Sequence, residues 1–295
     1  MAHPPTARQA VAASAARLAE AAVESPRTEA ELLVAEVLAQ TRGWLFLHPQ
    51  APLSPDQSAR LQSLLDRRCR REPLPYLLGR TEFHGLVLHL TPAAIVPRPE
   101  TEVLVEAAAA RLAPGDGKLA ADIGTGCGAI AVALAHQVPG LRVVALDLSL
   151  DALRLARRNS RRRQVADRVP LVCGDLLSPL RSRFDAVLAN LPYIRTADFP
   201  HLQPEVRRFE PRLALDGGQD GLAVIRRLSR QLWCHLRTGG FAALEVGAGQ
   251  AVEVANLLRA AGLSEVETVA DYAGIARVVI GWCKGEARCP ERRPP

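Results

Sequence analysis

Lysine is nearly absent from this chain: Lys118 and Lys284 are the only two among 37 basic residues. Arginine supplies the rest and brings the formal net charge to +6. With so much alanine, glycine and proline alongside, we attribute the bias to GC-rich coding, which codon usage of the gene would test. Aromatic residues are also scarce, at 4% of the chain. None interleaves with the arginine runs at Arg67, Arg68, Arg70 and Arg71 or at Arg157, Arg158, Arg161, Arg162 and Arg163. A groove for single strands wants basic and aromatic side chains together, so nucleic acid is not the expected partner. Each run reads either as a solvated helix face or as a patch that docks a protein.

Long apolar runs are missing too. None approaches the roughly 20 residues that cross a bilayer, and the N-terminus lacks the basic region and apolar stretch of a secretory signal. A cytoplasmic chain with no membrane partner is expected. The six cysteines (Cys69, Cys127, Cys173, Cys234, Cys283 and Cys289) form no C-x-x-C pair and keep no metal-ligand spacing with histidine. Reduced thiols in or near the core are expected, with neither disulfide nor metal.

What is present points to an α/β protein. A chain of 295 residues suits one large domain plus a smaller one. Residues 6–78 read as helices. Val11, Ala15, Leu18, Ala19 and Val23 recur at helical spacing, as do Leu32, Leu33, Val37 and Leu38. Pro26 separates the two segments. Ser54 is placed as N-cap of a third helix, Pro55 at its first position, and Leu61, Leu64 and Leu65 on its apolar face. Beyond residue 83 the texture turns β-like. A helix is expected to begin near Thr101. Short apolar runs then cover residues 119–123, 143–148, 169–173, 184–189 and 241–246, most of them separated by helical segments. That alternation predicts a parallel sheet covered on both faces. Runs at 266–269 and 276–282 are joined by a link too short for a crossover, so they are expected to pair antiparallel.

The first strand of that series runs into a glycine-rich turn and then a helix. Gly124, Thr125, Gly126, Cys127 and Gly128 form the candidate cofactor loop. Its glycines allow unusual φ angles and close approach of a ligand, at the edge of an α/β sheet where ligands bind. Asp147 ends the next strand, where a carboxylate can accept both hydroxyl hydrogens of a ribose. It also suits a helix cap, although Ser149 could cap that helix itself. Asp175 and Leu176, after the third strand, could meet the amino group and ring of an adenine. The loop alone fits a dinucleotide as well as S-adenosylmethionine. A Walker phosphate loop is excluded, because Lys118 is followed by leucine and preceded by no long glycine loop.

Residues 184–194 are the most informative stretch. The strand ends at Asn190, followed by Leu191, Pro192 and Tyr193. The Asn190 oxygen and the Leu191 carbonyl could receive the two N–H bonds of a substrate amide or amine, and Tyr193 could pack on the planar group. An amide nitrogen is a poor nucleophile because its lone pair is delocalised. Two acceptors on its hydrogens hold it facing a sulfonium methyl and raise its electron density as charge develops. No base or metal is then obligatory, and positioning supplies much of the rate gain.

Taken together, residues 73–85, 95–106, 121–135, 189–194, 208–222 and 271–279 resemble the release-factor glutamine methyltransferases, the HemK-like protein-(glutamine-N5) methyltransferases. The PRPETE segment (97–102) and the FEPRLALDGGQDGL segment (209–222) separate this family from most others with an Asn-x-Pro-Tyr motif. The resemblance implies a class I S-adenosylmethionine-dependent methyltransferase fold, a Rossmann-like seven-stranded mixed sheet with a small N-terminal helical domain. It implies a docking domain at 1–80, a β-hairpin linker at 81–96, a methyltransferase domain at 97–284 and a frayed tail at 285–295. S-adenosylmethionine would lie on the 124–128 loop, Asp147, Asp175, Leu176 and Asn190, with Asn190, Leu191, Pro192 and Tyr193 at the reacting end. The implied substrate is the glutamine of the Gly-Gly-Gln loop in peptide chain release factors, and a monomer is expected. Two departures stand out. Leu191 replaces the first proline of the family's usual Asn-Pro-Pro-Tyr, and Leu176 stands where tryptophan can occur.

Other readings share parts of this pattern. A ribosomal-protein glutamine, or an adenine exocyclic amine in nucleic acid, would suit the same Asn-x-Pro-Tyr logic, although an adenine enzyme would also need base flipping. A dinucleotide oxidoreductase leaves residues 190–193 unexplained. A binding protein that has lost activity fits poorly with an intact Asn190.

Overall fold

In the computed structural model, which describes residues 4–112 and 117–285, the first eighty residues wind into short helices with locally encoded starts. Helix α1 (Ala7–Glu20) opens at Thr6, whose hydroxyl accepts from the Gln9 amide while the Gln9 side chain accepts from the Thr6 backbone. Helices α2 (Pro26–Val37) and α3 (Arg42–Leu47) follow. Helix α4 (Pro55–Cys69) repeats the reciprocal cap between Ser54 and Gln57, with Pro55 at its first position as the sequence predicts. Each cap satisfies N–H groups that a helix start leaves free. Helix α5 (Leu74–Leu78) ends on the left-handed Gly79.

Of the apolar residues expected to recur from α1, Leu18 and Val23 are buried, Val11 and Ala15 pack against the same core, and only Ala19 faces out. Ala7, Ala10, Ser14 and Leu18 are buried, Val11 and Ala15 are half-buried, and Ala19 is exposed. In an alanine-rich helix, composition does not distinguish the inner face. The α4 face matches expectation, with Leu61, Leu64 and Leu65 buried.

The chain divides into two compact units, Met1–Arg80 with Gln203–Phe209, and Thr81–Leu202 with Glu210–Pro295. Nothing in the sequence announced that Gln203–Phe209 returns to the first unit. There Arg68, only 4% exposed, bonds Glu29 at 2.5 Å and Glu205 at 3.0 Å. Arg71 reaches Glu205 at 2.6 Å, and Arg67 holds Glu72. Arg68 and Arg71 are therefore not a solvated face, whereas the Arg67 side chain stays 40% exposed while it pairs. All three close ion pairs within their own unit, and Arg70 is exposed.

Strands β1 (Arg80–Phe83) and β2 (Leu86–His89) form a hairpin. Its turn residues His84 and Gly85 both have positive φ, the conformation that matches strand twist in a two-residue turn. Helix α6 (Glu100–Ala109) leads to β3 (Leu119–Ile123), α7 (Ala129–Gln137), β4 (Arg142–Asp147), α8 (Leu150–Arg162), β5 (Leu171–Cys173) and β6 (Phe184–Ala189). After α9 (Pro204–Phe209), which belongs to the first unit, come α10 (Ala223–His235), β7 (Leu236–Glu245), α11 (Ala251–Ala260), β8 (Ser264–Ala270) and β9 (Ala276–Trp282).

The seven-stranded sheet has the order β5-β4-β3-β6-β7-β9-β8. The first five are parallel, whereas β9 runs antiparallel to both β7 and β8, as the short final link predicts. Strands buried on both faces need continuous apolar runs, and Ile123, Leu146, Val187 and Leu244 supply them in the core. Strand order reverses between β3 and β6, so their carboxyl ends open a crevice where α/β sheets bind ligands.

Among the described residues no helix is long and apolar enough to cross a membrane. Cys69, Cys127, Cys173 and Cys283 are free thiols. Cys234 is disulfide-bonded, against the expectation that no cysteine would be. Cys289 and the tail expected at 285–295 lie, from residue 286 on, outside the described residues.

Candidate active site

The glycine loop sits at the crevice. Gly124, Gly126 and Gly128 all have positive φ, and the Gly124 and Thr125 amides donate to the Leu146 carbonyl at 2.9 and 2.8 Å. This folds the loop back over the end of β4 and presents the Gly126 amide to Asp147. Each Asp147 oxygen accepts one backbone N–H, from Gly126 and from Ser149, both at 2.8 Å. Ser149 caps α8 with its own hydroxyl, so the carboxylate is not the cap. A carboxylate has about four lone-pair sites, which leaves Asp147 roughly two for a ligand.

A cavity of ≈ 230 Å³ lies against this loop. Gly124, Gly126, Asp147, Asp175 and Leu176 border it, together with Asn190, Leu191 and Pro192. Leu176 holds a positive φ of 50° while buried in the wall, a conformation that bulky residues rarely adopt and that clusters at ligand sites. Asp175 is already paired with Arg227. Sequence reasoning missed that arginine, and it also missed Ala94, Ile95 and Leu213 in the walls.

Thr125, Cys127 and Gly128 do not border the cavity. The Thr125 hydroxyl turns inward and donates to Asp122 at 2.6 Å, and the Ala131 amide reaches the same oxygen at 3.1 Å. Burial pushes the Asp122 carboxyl up to about 7 against these two bonds. Burial likewise pushes the Cys127 thiol up to about 12, and the Cys127 carbonyl accepts from Asn159 at 2.8 Å. At Gly128 an added Cβ would lie 3.1 Å from the Ala156 Cβ and 3.2 Å from its Cα. That glycine lets α7 approach α8 rather than admitting a ligand.

Asn190, directly after β6, has its amide held from behind. Its Nδ2 donates to the Thr101 hydroxyl at 3.0 Å. Behind both lies Glu245, at the end of β7 and 2% exposed. Burial raises its carboxyl to about 7, although the nearby Thr101 hydroxyl, the charge of Arg277 and the Asn190 NH2 group pull the other way. Glu245 Oε2 has no partner among the described residues. The Leu191 side chain is buried and would lie 3.1 Å from a Cβ added at Gly124, so the residue in proline's place fills the space above the loop.

Tyr193 does not border this cavity. Its ring packs on the core, its carbonyl accepts from Gln250 at 3.0 Å, and burial followed by the charge of Glu245 pushes its phenol up to about 12. The two segments of the FEP and PRPETE motifs do meet. Arg98 bonds the buried Glu210 at 2.6 Å, and the Asp216 segment pairs with Ile194 just past Tyr193.

Two family models match the chain, the PrmC N-terminal domain over residues 9–79 and the methyltransferase small domain over residues 99–202. The release factor glutamine methyltransferase of Moorella thermoacetica is 45% identical over 283 residues, covering 95% of this chain and 100% of that one. The enzyme of that name from Geobacter sulfurreducens is 44% identical over 265 residues, covering 90% and 92%. Among solved structures, a methyltransferase from Pyrococcus furiosus gives a TM-score of 0.53 at 20% identity, covering 79% of this chain and 100% of that chain. At that identity it speaks to the fold alone.

Proposed function

This chain belongs to the release factor glutamine methyltransferases, and we propose that it methylates the side-chain amide of the glutamine in the Gly-Gly-Gln loop of peptide chain release factors. The observation that carries the reading is the tethered amide of Asn190: with Nδ2 bonded inward to Thr101, Oδ1 is left for the cavity that Asn190 lines. The Leu191 carbonyl accepts no backbone hydrogen bond among the described residues and is the second acceptor. Leucine in place of proline does not alter that role, which belongs to the backbone.

The residues of the cavity fit S-adenosylmethionine. The spare lone pairs of Asp147 suit a ribose diol, the free oxygen of Asp175 an adenine amino group, and the Leu176 side chain its ring. At ≈ 230 Å³ the cavity is smaller than the roughly 300–1,000 Å³ of sites that enclose a drug-sized ligand, so it holds such a molecule in part. Bound there, the cofactor supplies an electrophilic methyl on a sulfonium centre. Asn190 and Leu191 hold the two amide hydrogens of the glutamine, orient its nitrogen and stabilise the charge that develops on it. The nitrogen's proton is lost after transfer, so no strong base is needed in the cavity.

The test incubates purified protein with labelled S-adenosylmethionine and, separately, a release factor, ribosomal protein and duplex DNA. Mass spectrometry then locates the methyl. One methyl on the Gly-Gly-Gln glutamine is the expected result. A methyl on ribosomal protein or on adenine would overturn the substrate while leaving the role of Asn190 in place.

A further inference from the structure

We propose that Glu245 and Thr101 are positioning residues that fix which end of the Asn190 amide faces the substrate. This rests on the reading of Asn190 as acceptor for the substrate N–H. An amide's oxygen and NH2 ends have nearly the same shape, so the outline of the pocket does not choose between them. The inner partners do. An ionised carboxylate only accepts hydrogen bonds, and a hydroxyl has one hydrogen to give. Thr101 meets Asn190 as an acceptor, 3.0 Å from Nδ2, and its own hydrogen is left to the nearby buried carboxylate of Glu245. The negative charge of Glu245 favours the NH2 end of Asn190 on its side as well. A flipped amide would set Oδ1 toward a carboxylate and would have to take the Thr101 hydrogen away from that carboxylate. The NH2 end is therefore held inside, and the oxygen is left for the substrate.

The arrangement depends on Glu245 staying ionised. The groups that face it are Arg277 on β9, itself paired with Asp271, Glu100 on α6, and Tyr193 past the end of β6. Arg277 favours the carboxylate, whereas Glu100 and burial oppose it. With Oε2 unpartnered, the carboxyl gains a proton near neutral pH. Once protonated it can donate to Thr101, whose hydroxyl then turns toward Asn190 and removes the preference.

The experiment measures kcat, KM for the release factor and S-adenosylmethionine affinity from pH 6 to 8 in wild type, Glu245→Gln, Thr101→Val and Thr101→Ser. Glutamine can donate where glutamate cannot, and valine keeps the shape of threonine without its hydroxyl. Glu245→Gln and Thr101→Val are expected to lower kcat by at least about tenfold, the worth of one buried hydrogen bond, with KM and cofactor affinity nearly unchanged. Thr101→Ser restores most of that loss. The wild-type rate falls as pH drops through about 7, and Glu245→Gln loses this dependence. Wild-type turnover in Glu245→Gln, or equal losses in Thr101→Ser and Thr101→Val, overturns the proposal. If Glu245→Gln does not fold, the two threonine variants decide. If the wild type methylates no glutamine, the proposed function fails, and the positioning is read separately by NMR. The Asn190 NH2 protons, assigned by their loss in Asn190→Ala, should be protected from exchange in wild type and unprotected in Thr101→Val. Equal exchange in both refutes it.

Discussion

Three residues of the loop region separate chemistry from binding and from packing. Asn190→Ala removes the acceptor oxygen without touching Asp147. Transfer is expected to fall by at least about a hundredfold, the scale of losing one positioned donor or acceptor at a reacting centre, with cofactor affinity nearly intact. Normal turnover in that variant would remove Asn190 from the mechanism. Asp147→Ala takes away charge-assisted hydrogen bonds of about 1.5–3 kcal/mol each, and calorimetry should show S-adenosylmethionine binding at least tenfold weaker. Unchanged affinity would rule out the ribose assignment. Gly128→Ala makes a different prediction from its neighbours. The residue has φ 84° and an added Cβ would press on Ala156, so the expected effect is a loss of about 1–3 kcal/mol in urea unfolding. Because Gly128 lies away from the cavity, cofactor affinity per folded molecule should hold. A weakened affinity with intact stability would return Gly128 to the ligand.

At the scale of elements, two buried carboxyls mark the carboxyl edge of the sheet, Asp122 on β3 and Glu245 at the end of β7, each pushed up to about 7 by burial. An acid whose pKa is higher in the fold keeps its proton when the unfolded chain would release it. Its contribution to stability is present below about 4 and is lost as pH rises through about 7. Replacing Glu245 with glutamine removes one of these titrations. Urea unfolding at pH 5 and pH 8 should show the variant gaining on wild type by on the order of 2–3 kcal/mol across the interval; parallel stabilities would mean Glu245 is not held protonated by the fold. The same two residues show where a sequence stops being legible. β3, β6 and β9 were readable because strands covered on both faces must be continuously apolar. β7 begins earlier than its apolar run because Leu236 to Gly240 extend the strand with little apolar pattern. The loop glycines, Asp147, Asn190 and Leu191 were readable because strand ends with unusual residues declare themselves locally. Glu245 did not declare itself. It closes an apolar run as any strand-end acid would, and its link to Thr101 and Asn190 exists only once α6, β6 and β7 are brought together. The one misplaced residue expected on the inner side near α1, the exposed Ala19, has a simpler cause, since alanine fits either side of a helix.

At the scale of the whole molecule, the chain enters the first unit twice, and the second visit is secured by charge. Glu205, from Gln203–Phe209, accepts from Arg68 and Arg71. Those two bonds overcome burial and hold its carboxyl below the usual range. Such a group stabilises above its unfolded pKa, and the contribution fades as pH falls. Arg68 is buried, so removing Glu205 leaves it, among the described residues, with Glu29 as its one carboxylate partner. Breaking one arm of a buried pair is strongly destabilising, on the order of 3 kcal/mol. Glu205→Ala in the full chain should therefore speed hydrogen exchange in α4 and in residues 204–209, while the sheet from β3 to β7 keeps its protection. This follows because units with separate cores open separately. The segment sits between Ile194, which pairs with the Asp216 loop, and Glu210, which holds Arg98. Both ends of the excursion are thus anchored in the second unit by bonds that do not involve Glu205. If exchange rises equally in the sheet, the division into two units does not describe how the molecule opens, and Glu205 contributes to the stability of the whole rather than of the first unit.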